Sequence, residues 1–573
     1  MTTIGLIGGG PAALFMYKAL TADGMPAMDI TIFEKNKQLG AGMPYSNEGA
    51  NVEHITNVSG NEIPELHTEV LAWVTAAPAA VLSPFKITAK SFNEYKVMPR
   101  LLFGKYLEDQ FTFIEKRANA NGHRTKKFLQ TTVIDITDDR DKQAVTVITS
   151  DKTEHVFDTV VICTGHQWPK DAELTTEGWY DSPYPPKKLA QKTNFAVAIK
   201  GAALTAIDAV RTLSRSNGKF VSDENCKVTY QLDDDCPNFK LVMHSIGGML
   251  PAVRFHLDDP QLVHGKLITE EEAYAIKAAN DGFIPLDFIF ERNFLQPLQI
   301  QNPALYEEVK GMQMEAFVTH MMALRNTLDA FTLLAAECKE AEKSIKGKKA
   351  VFWKETLAAL SYAVNYPAKH FCAEDMLRLK TTLMPLIAIV IAFVPQSSCR
   401  ELMALHDAGV LSLLSVNKDS KAVPHRDGGA IYSYADDDGN IHDVLYQMYV
   451  DAVGQPHYMY KDFPFDGLKA GGTVSAAFLN FKSADAAVQA MENGNTFINH
   501  DSEGNYYLEL PGININDHFQ VLDKFGAYNP RIYMMAVPHI GGLNPDYSGL
   551  DFCEMAASRI RNAMTQIASS AKG

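Results

Sequence analysis

Apolar positions along the chain fall into a recurring order of strand, turn and helix. "TTIGLIGGGPAALFMYKAL" opens with a short apolar run, turns through Gly8, Gly9 and Gly10, and continues with apolar residues at helical spacing past Leu14 to Leu20. "MDITIFEK" follows as a second strand ending at Glu34. "KFLQTTVIDITDD", "QAVTVITSD" and "EHVFDTVVICTGHQWP" alternate apolar and polar residues between Asp-rich turns, which predicts a small antiparallel meander. Strand, turn and helix return in "NFAVAIKGAALTAIDAVRTL", with "FKLVMHSIGGMLP" as the next strand. From about 260 to 415 the apolar spacing becomes helical, and its methionines and aromatics read as helix-packing residues. "LIAIVIAFV", between Pro385 and Pro395, is too short to span a bilayer and predicts a buried helix or strand. "RIYMMAVPHIGGLNPDYSGLDFCEMAASRIRNAM" closes the pattern as strand, Gly-rich turn and amphipathic helix.

The first turn meets the pattern G-x-G-x-x-A through Gly8, Gly10 and Ala13. Gly8 permits the tight bend and Gly10 lets backbone approach a pyrophosphate. Ala13 keeps helix close to strand, while the helix start at Pro11 and Ala12 offers unpaired N–H groups to phosphates. Glu34, about twenty residues on, is placed to bond a ribose hydroxyl, which predicts FAD or NAD without a 2′-phosphate. Lys35 and Val133 are further candidates along this dinucleotide.

Composition narrows the picture. At 573 residues the chain calls for two or three domains, and 46% hydrophobic with 21% charged residues describes a globular protein. A net charge of −15 with no basic stripe argues against nucleic acid or an anionic membrane as partner. The seven cysteines, at 163, 226, 236, 338, 372, 399 and 553, contain no C-x-x-C pair. They read as reduced thiols in a cytoplasmic protein, with no zinc or other metal site. The first strand begins within three residues, so no leader is expected.

"VVICTGHQWP" resembles the strand-ending signature of two-dinucleotide-domain flavoproteins, with Thr164 and Gly165 at the turn. "LGAGMPYS" supplies Gly40, Gly42, Tyr45 and Ser46; "EHITNVSG" supplies Asn57 and Val58; "VMPRLLFGKYLEDQF" supplies Pro99, Arg100, Gly104, Tyr106 and Leu107. Together these resemble a bacterial group of FAD/NAD(P)-binding flavoproteins related to the flavin-dependent N-hydroxylating monooxygenases. The likeness covers roughly the first 260 residues well, the last hundred moderately and the middle poorly.

That resemblance implies an α/β fold with two dinucleotide-binding, Rossmann-like domains, the FAD domain discontinuous and interrupted by a helical insertion. The expected segments are 1–190 for the first part of the FAD domain, 191–260 for the start of the second nucleotide domain and 261–415 for the helical cap. Residues 416–456 then return to the second domain and 457–573 complete the FAD domain. Gly42, Tyr45 and Asn57 are implied along the flavin, with Arg100 at the cofactor or a nearby anion. His54 is the residue there able to trade protons near neutral pH. Each has a structural alternative as core, helix-cap or salt-bridge residue. Gly541, Gly542, Asn544 and Asp546 are implied as flavin or ribityl contacts, beside His539.

The second loop matches the family's NADPH loop at Gly201, Leu204, Thr205, Ala206 and Asp208, but Ala203 replaces a glycine. Ser245 is followed by Ile246, where relatives often carry an arginine for the 2′-phosphate. The implied activity is an FAD-dependent oxidoreductase, a monooxygenase using a flavin hydroperoxide on a small substrate such as an amine or amino acid. NADPH or NADH would be the reductant. The two departures leave open an FAD dehydrogenase or oxidase without a nicotinamide, and a non-catalytic redox sensor. Nothing in the sequence settles the oligomeric state.

Overall fold

The computed structural model describes the chain except for residues 167, 169, 225, 226, 258–266, 456, 547, 548 and 571–573. The expected boundary at 260/261, Cys226, and Gln167 and Pro169 of the "HQWP" turn lie outside the described residues. Strand Thr2–Ile7 is central to a six-stranded sheet. From one edge the order is Gln520–Leu522, Tyr528–Met534, Thr159–Ile162, Thr2–Ile7, Met28–Glu34 and Arg124–Leu129. All pairings are parallel except at the Gln520–Leu522 edge. Ile4, Leu6, Ile30, Ile32, Val160 and Val161 are all buried, as a parallel sheet covered on both faces requires. Helices Pro11–Leu20 and Leu550–Ser570 pack against each other, so both ends of the chain build this domain.

The meander is Val133–Asp139, Ala144–Thr149 and Glu154–Phe157. It is shorter than the sequence pattern suggested. Phe128 and Leu129 pair in parallel with Phe33 and Glu34, and Thr159–Ile162 joins the main sheet beside Thr2–Ile7. Alternation cannot separate a strand facing solvent on one side from a short one that the main sheet recruits.

The second sheet is wholly parallel, ordered Trp179–Tyr180, Met448–Asp451, Ala196–Lys200, Lys240–Ile246 and Leu411–Val416. Two of its strands depart from the expected segments: Trp179–Tyr180 lies within 1–190, and Leu411–Val416 begins within 261–415 and crosses the expected boundary at 415/416. Helix Leu204–Ser216 crosses over between Ala196–Lys200 and Lys240–Ile246. An antiparallel trio, Lys421–Pro424, Ala430–Ala435 and Ile441–Tyr446, lays Tyr432 flat on His244 with ring centroids 4.0 Å apart.

Between strands Lys240–Ile246 and Leu411–Val416 of the second sheet the chain runs through a helical region from Glu270–Ala279 to Gln396–Asp407. Its first helix carries a capping box, Thr269 with Glu272, of a kind that contributes about 1 kcal/mol. The apolar stretch near 386–394 is mainly helix Met384–Ile391, with Leu386, Ile387 and Val390 buried. π-helical turns occupy Glu291–Leu295 and Leu379–Leu383. Among the described residues no helix is long and apolar enough to cross a membrane.

Candidate functional site

Gly8 has φ +101°, and a Cβ there would lie 2.7 Å from the Cys163 carbonyl oxygen. Only glycine meets both conditions. The Gly8 amide donates to the Phe33 carbonyl (2.8 Å), tying the turn to the second strand. Gly10 caps helix Pro11–Leu20 with φ −81° and ψ −163°, and no side chain closes that N-terminus. The amides around Ala12 and Ala13 are therefore left for an anion. Gly42, at φ +60°, lies against Gly10 and Pro11, so the "LGAG" loop packs directly on the turn.

Glu34 is buried, and both carboxylate oxygens accept backbone hydrogen bonds: from Gly9 N at 2.7 Å and from Asn36 N at 2.8 Å. Its carboxylate is thus pinned beneath the glycine turn while Lys35 stays exposed. Thr131 N donates to the Glu34 carbonyl (3.0 Å), which brings the start of the Val133 strand alongside. Thr164 Oγ1 is buried without a partner, and nothing lies within 4 Å of where a Gly165 side chain would be. A glycine cradle, a free helix N-terminus and an orphaned hydroxyl fit an FAD pyrophosphate.

The second turn repeats the first in backbone detail. Gly201 has φ +105°, a Cβ there would stand 2.9 Å from the Ala452 carbonyl, and its amide donates to His244 O at 2.8 Å. Ala203 caps helix Leu204–Ser216 at φ −81° and ψ −170°, nearly the values of Gly10. Alanine keeps this conformation because φ is negative, and Ala203 is exposed. Leu204 and Thr205 open the helix, whose N-terminus also lacks a side-chain cap. Ser245 Oγ donates to Met249 O at 3.4 Å, and Ile246 is exposed.

None of the three arginines that could replace the missing one is available for a 2′-phosphate. Arg211 donates to Glu401 at 2.8 and 3.3 Å and to Ser398 Oγ at 3.0 Å. Arg215 donates to Glu401 at 2.7 Å. Arg254 donates to the Asn57 carbonyl, to Ser59 Oγ at 2.8 Å and to Glu62.

The "EHITNVSG" segment and Arg100 meet the second domain. Arg100 Nη1 donates to Asp208 Oδ2 (2.6 Å) and its Nε to Ile55 O (3.1 Å), so its charge goes to the partner helix. Tyr184 OH donates to the same Asp208 oxygen at 2.7 Å. Burial alone would raise the Asp208 pKa; Arg100, His54 and the Tyr184 hydrogen bond outweigh it, and the net shift is downward.

His54 is fully buried. Its Nδ1 accepts from Asn51 N (3.2 Å), so the proton sits on Nε2, which faces Asp208 O at 3.2 Å and Thr212 Oγ1 at 3.1 Å. Burial, with the Arg100 charge, holds its pKa low. Both nitrogens are committed, so the proton-trading role expected of His54 has no free atom to act through. Tyr45 stacks edge-on against Phe103 with centroids 4.9 Å apart. Asn57 contributes its carbonyl to Arg254. Sequence reasoning missed this clamp because its partners lie far apart in the chain.

At the C-terminal turn, Gly542 N donates to Pro511 O (2.9 Å) and Asp546 N to Asn365 Oδ1 (2.9 Å). Asn544 is buried beneath them. A side chain at Gly541 would collide with His457. His166, beside Thr164 and Gly165, pairs with Gln455, whose Nε2 is buried without a partner. His539 stacks on Tyr458, and burial pushes its pKa down to about 4. Lys380, from the π-helical turn, is pushed down to about 8 by burial and adds its field to His457. Lys380, His166 and His457 thus stand together where the two domains exchange chain, a grouping no local motif signalled.

Asp551, in the first turn of the last helix, is pushed up to about 7 by burial and then by Glu62 and Glu554. A raised folded-state pKa stabilises the fold below the ordinary carboxylate value and loses that contribution as pH rises through about 7. Asp551→Asn is neutral at every pH. Its melting temperature should match wild type near pH ~4 and exceed it by pH ~8, with a ceiling of about 4 kcal/mol. Equal melting temperatures at the higher pH would exclude a neutral Asp551 in the fold.

Asp233, Asp235 and Cys236 form a group of metal-ligand types within 4.8 Å of one another. Lys192 Nζ already pairs with the two carboxylates at 3.3 and 2.6 Å, in the place a cation would take.

Residues 5–167 match the family model described as FAD-NAD(P)-binding, and residues 269–391 match the YdhS-like middle domain. The chain thus carries an FAD-NAD(P)-binding domain, which supports FAD and NAD(P)H as its cofactors, and a helical YdhS-like middle domain. The protein YdhS of Escherichia coli (strain K12) is 26% identical over 480 residues, covering 82% of this chain and 86% of that one. Among solved structures, the Kutzneria sp. 744 ornithine N-hydroxylase aligns over 99% of this chain and 100% of its own, at 12% identity and a TM-score of 0.47. The Erwinia amylovora cadaverine monooxygenase aligns over 98% and 94%, at 11% identity and a TM-score of 0.44. The Staphylococcus aureus bacillithiol disulfide reductase aligns over 99% of both chains, at 10% identity and a TM-score of 0.42.

Proposed function

We propose that the protein is a nicotinamide-reduced flavin monooxygenase acting on a small substrate. The observation that carries the reading is the matched pair of turns, Gly8 with Gly10 and Gly201 with Ala203, each opening an uncapped helix. Bound FAD supplies the redox chemistry, accepting hydride and delivering electrons to oxygen. The chain's share is to hold and orient. The Gly8–Ala13 turn would bind the pyrophosphate, Glu34 fixes that turn from below, and Thr164 and Gly165 stand beside it. His539 is buried where the domains converge, with half-buried His166 and exposed His457 near it, and Lys380 offers one cation to an anionic group of the substrate.

The test is anaerobic mixing of the purified yellow protein with NADPH or NADH while flavin absorbance is followed. Both nucleotides should bleach the flavin, NADPH with no advantage over NADH, because Arg211, Arg215 and Arg254 are all engaged elsewhere. Gly201→Val should slow bleaching by both. Admitting oxygen should then consume a small amine in step with reoxidation. Failure of both nucleotides to bleach the flavin would leave the second reading, an FAD dehydrogenase fed by its organic substrate, which the absent 2′-phosphate arginine favours.

A further inference from the structure

Away from the glycine turns, a cavity of about 420 Å³ opens between the helical middle domain and the C-terminal segment. Its size falls within the ~300–1,000 Å³ of sites that take small organic molecules. Lys277 reaches it from helix Glu270–Ala279, and Lys369 and His370 from the turn Pro367–His370. Asn514 and Asp517 come from the opposite side, and Phe283 and Phe478 give it an apolar floor.

The charges do not balance. Asp517 serves several partners at once. Its oxygens face His370 Nε2 at 3.0 Å each, Tyr366 OH at 3.5 Å and Lys369 Nζ at 3.8 Å. Arg559 Nη1 donates to the Asp517 carbonyl at 3.3 Å and pairs with Glu270 at 3.6 Å. Lys277 Nζ has His370 Nδ1 as its neighbour at 3.2 Å, with no carboxylate on it among the described residues. Lys369 therefore shares the one carboxylate with His370, and Lys277 reaches none among the described residues. Lys369 is the more exacting of the two, because its side chain is only 7% exposed. Burying such a group without a full counter-charge is costly, and burial holds its pKa down to about 8. In a chain of net charge −15, a cavity wall with surplus positive charge is a local inversion.

We propose that this cavity binds a small organic acid, its carboxylate between Lys277 and Lys369 and its apolar body on Phe283 and Phe478. The carboxylate supplies the missing counter-charge, and the aromatic floor removes the rest of the ligand from water. Asn514 adds an amide for a further polar atom. Lys369 and Asp517 also wall a smaller cavity that reaches Asn544, so the site adjoins the C-terminal turn without including it. The assignment stands apart from the flavin reading.

The probe is 4-fluorobenzoate, observed by fluorine NMR with the full-length protein as purified, with neutral 4-fluorobenzamide as control. Benzoate should bind saturably, and the amide at least about tenfold more weakly, since a charge-assisted pair is lost. Lys369→Met and Lys277→Met should each weaken benzoate by about tenfold with flavin content unchanged. Lys277 is partly exposed, so its variant keeps the test open should Lys369→Met fold poorly. Equal binding of both probes, no benzoate binding at millimolar concentration, or binding indifferent to Lys277→Met would each overturn the proposal. Inorganic phosphate displacing the probe better than unlabelled benzoate would overturn the assignment to organic acids.

Discussion

Gly8→Val protein is expected to purify colourless and to take up no FAD on soaking, while wild type is yellow. Two separate penalties fall on this one position. The backbone stands at φ +101°, where a side chain is strained by about 1–3 kcal/mol, and a branched one by more. The Cβ would also approach the Cys163 carbonyl to 2.7 Å, and that carbonyl, just past the end of strand Thr159–Ile162 with its own residue's amide held by Ile7 O (2.8 Å), has little room to swing aside. The turn must open, and the amides that cradle the pyrophosphate lose their common direction. Gly10→Ala is the control. Its φ of −81° suits alanine, as Ala203 demonstrates in the second turn, and the added methyl meets the Gly42 Cα at 3.3 Å and its N at 3.8 Å. That variant should keep its fold and lose only part of its FAD. Absorbance spectra and far-UV circular dichroism read both outcomes, and a yellow Gly8→Val protein would remove the first turn from the flavin site.

Arg100→Met carries the other large effect. The Arg100–Asp208 pair joins the two nucleotide domains at 2.6 Å, with side chains 16% and 6% exposed. Removing only the guanidinium strands a buried carboxylate, a loss of about 3–5 kcal/mol where one partner of a buried pair is deleted. Arg100→Met with Asp208→Asn should recover part of it, because the stranded charge goes too. The sign with pH follows from the lowered Asp208 pKa. Wild-type stabilisation is present above the ordinary carboxylate value and is lost as pH falls through the lower folded-state value. The single variant's deficit should therefore shrink on acidification. Denaturant melts of the four proteins at two pH values test this, and a deficit below about 1 kcal/mol would mean the pair is as weak as a surface bridge.

Much of the architecture was legible because its signals are local. Gly8 and Gly201 mark bends that only glycine takes, and each is preceded by an apolar strand and followed by an amphipathic helix. The departure at Ala203 was legible as well, but its consequence was not. From the sequence a methyl at Ala203 either pushes the pyrophosphate away or is tolerated at a negative φ; in the fold φ is −81°, with the side chain in solvent. For Arg100 and His54 the fold shows the structural alternative: a salt bridge and a buried packing position. Both lie in segments resembling flavin-lining motifs, yet Arg100 Nη1 and His54 Nε2 point to helix Leu204–Ser216. The strand Leu411–Val416 was absorbed into a helical stretch because six residues are too few for their periodicity to compete with the helices before them.

What the chain determined by itself are the short-range features: where it bends, which runs are apolar, where helices open without a cap, and hence the two nucleotide turns. Those depend on dihedral preference and on spacing within a few residues. Which side chains share a charge only the tertiary structure decided. Arg100 meets Asp208, and His370 meets Asp517 across 147 residues of sequence, because tertiary packing brought distant elements together. Electrostatic pairing depends on distance in space and on exclusion of water, and neither is written in the order of the residues.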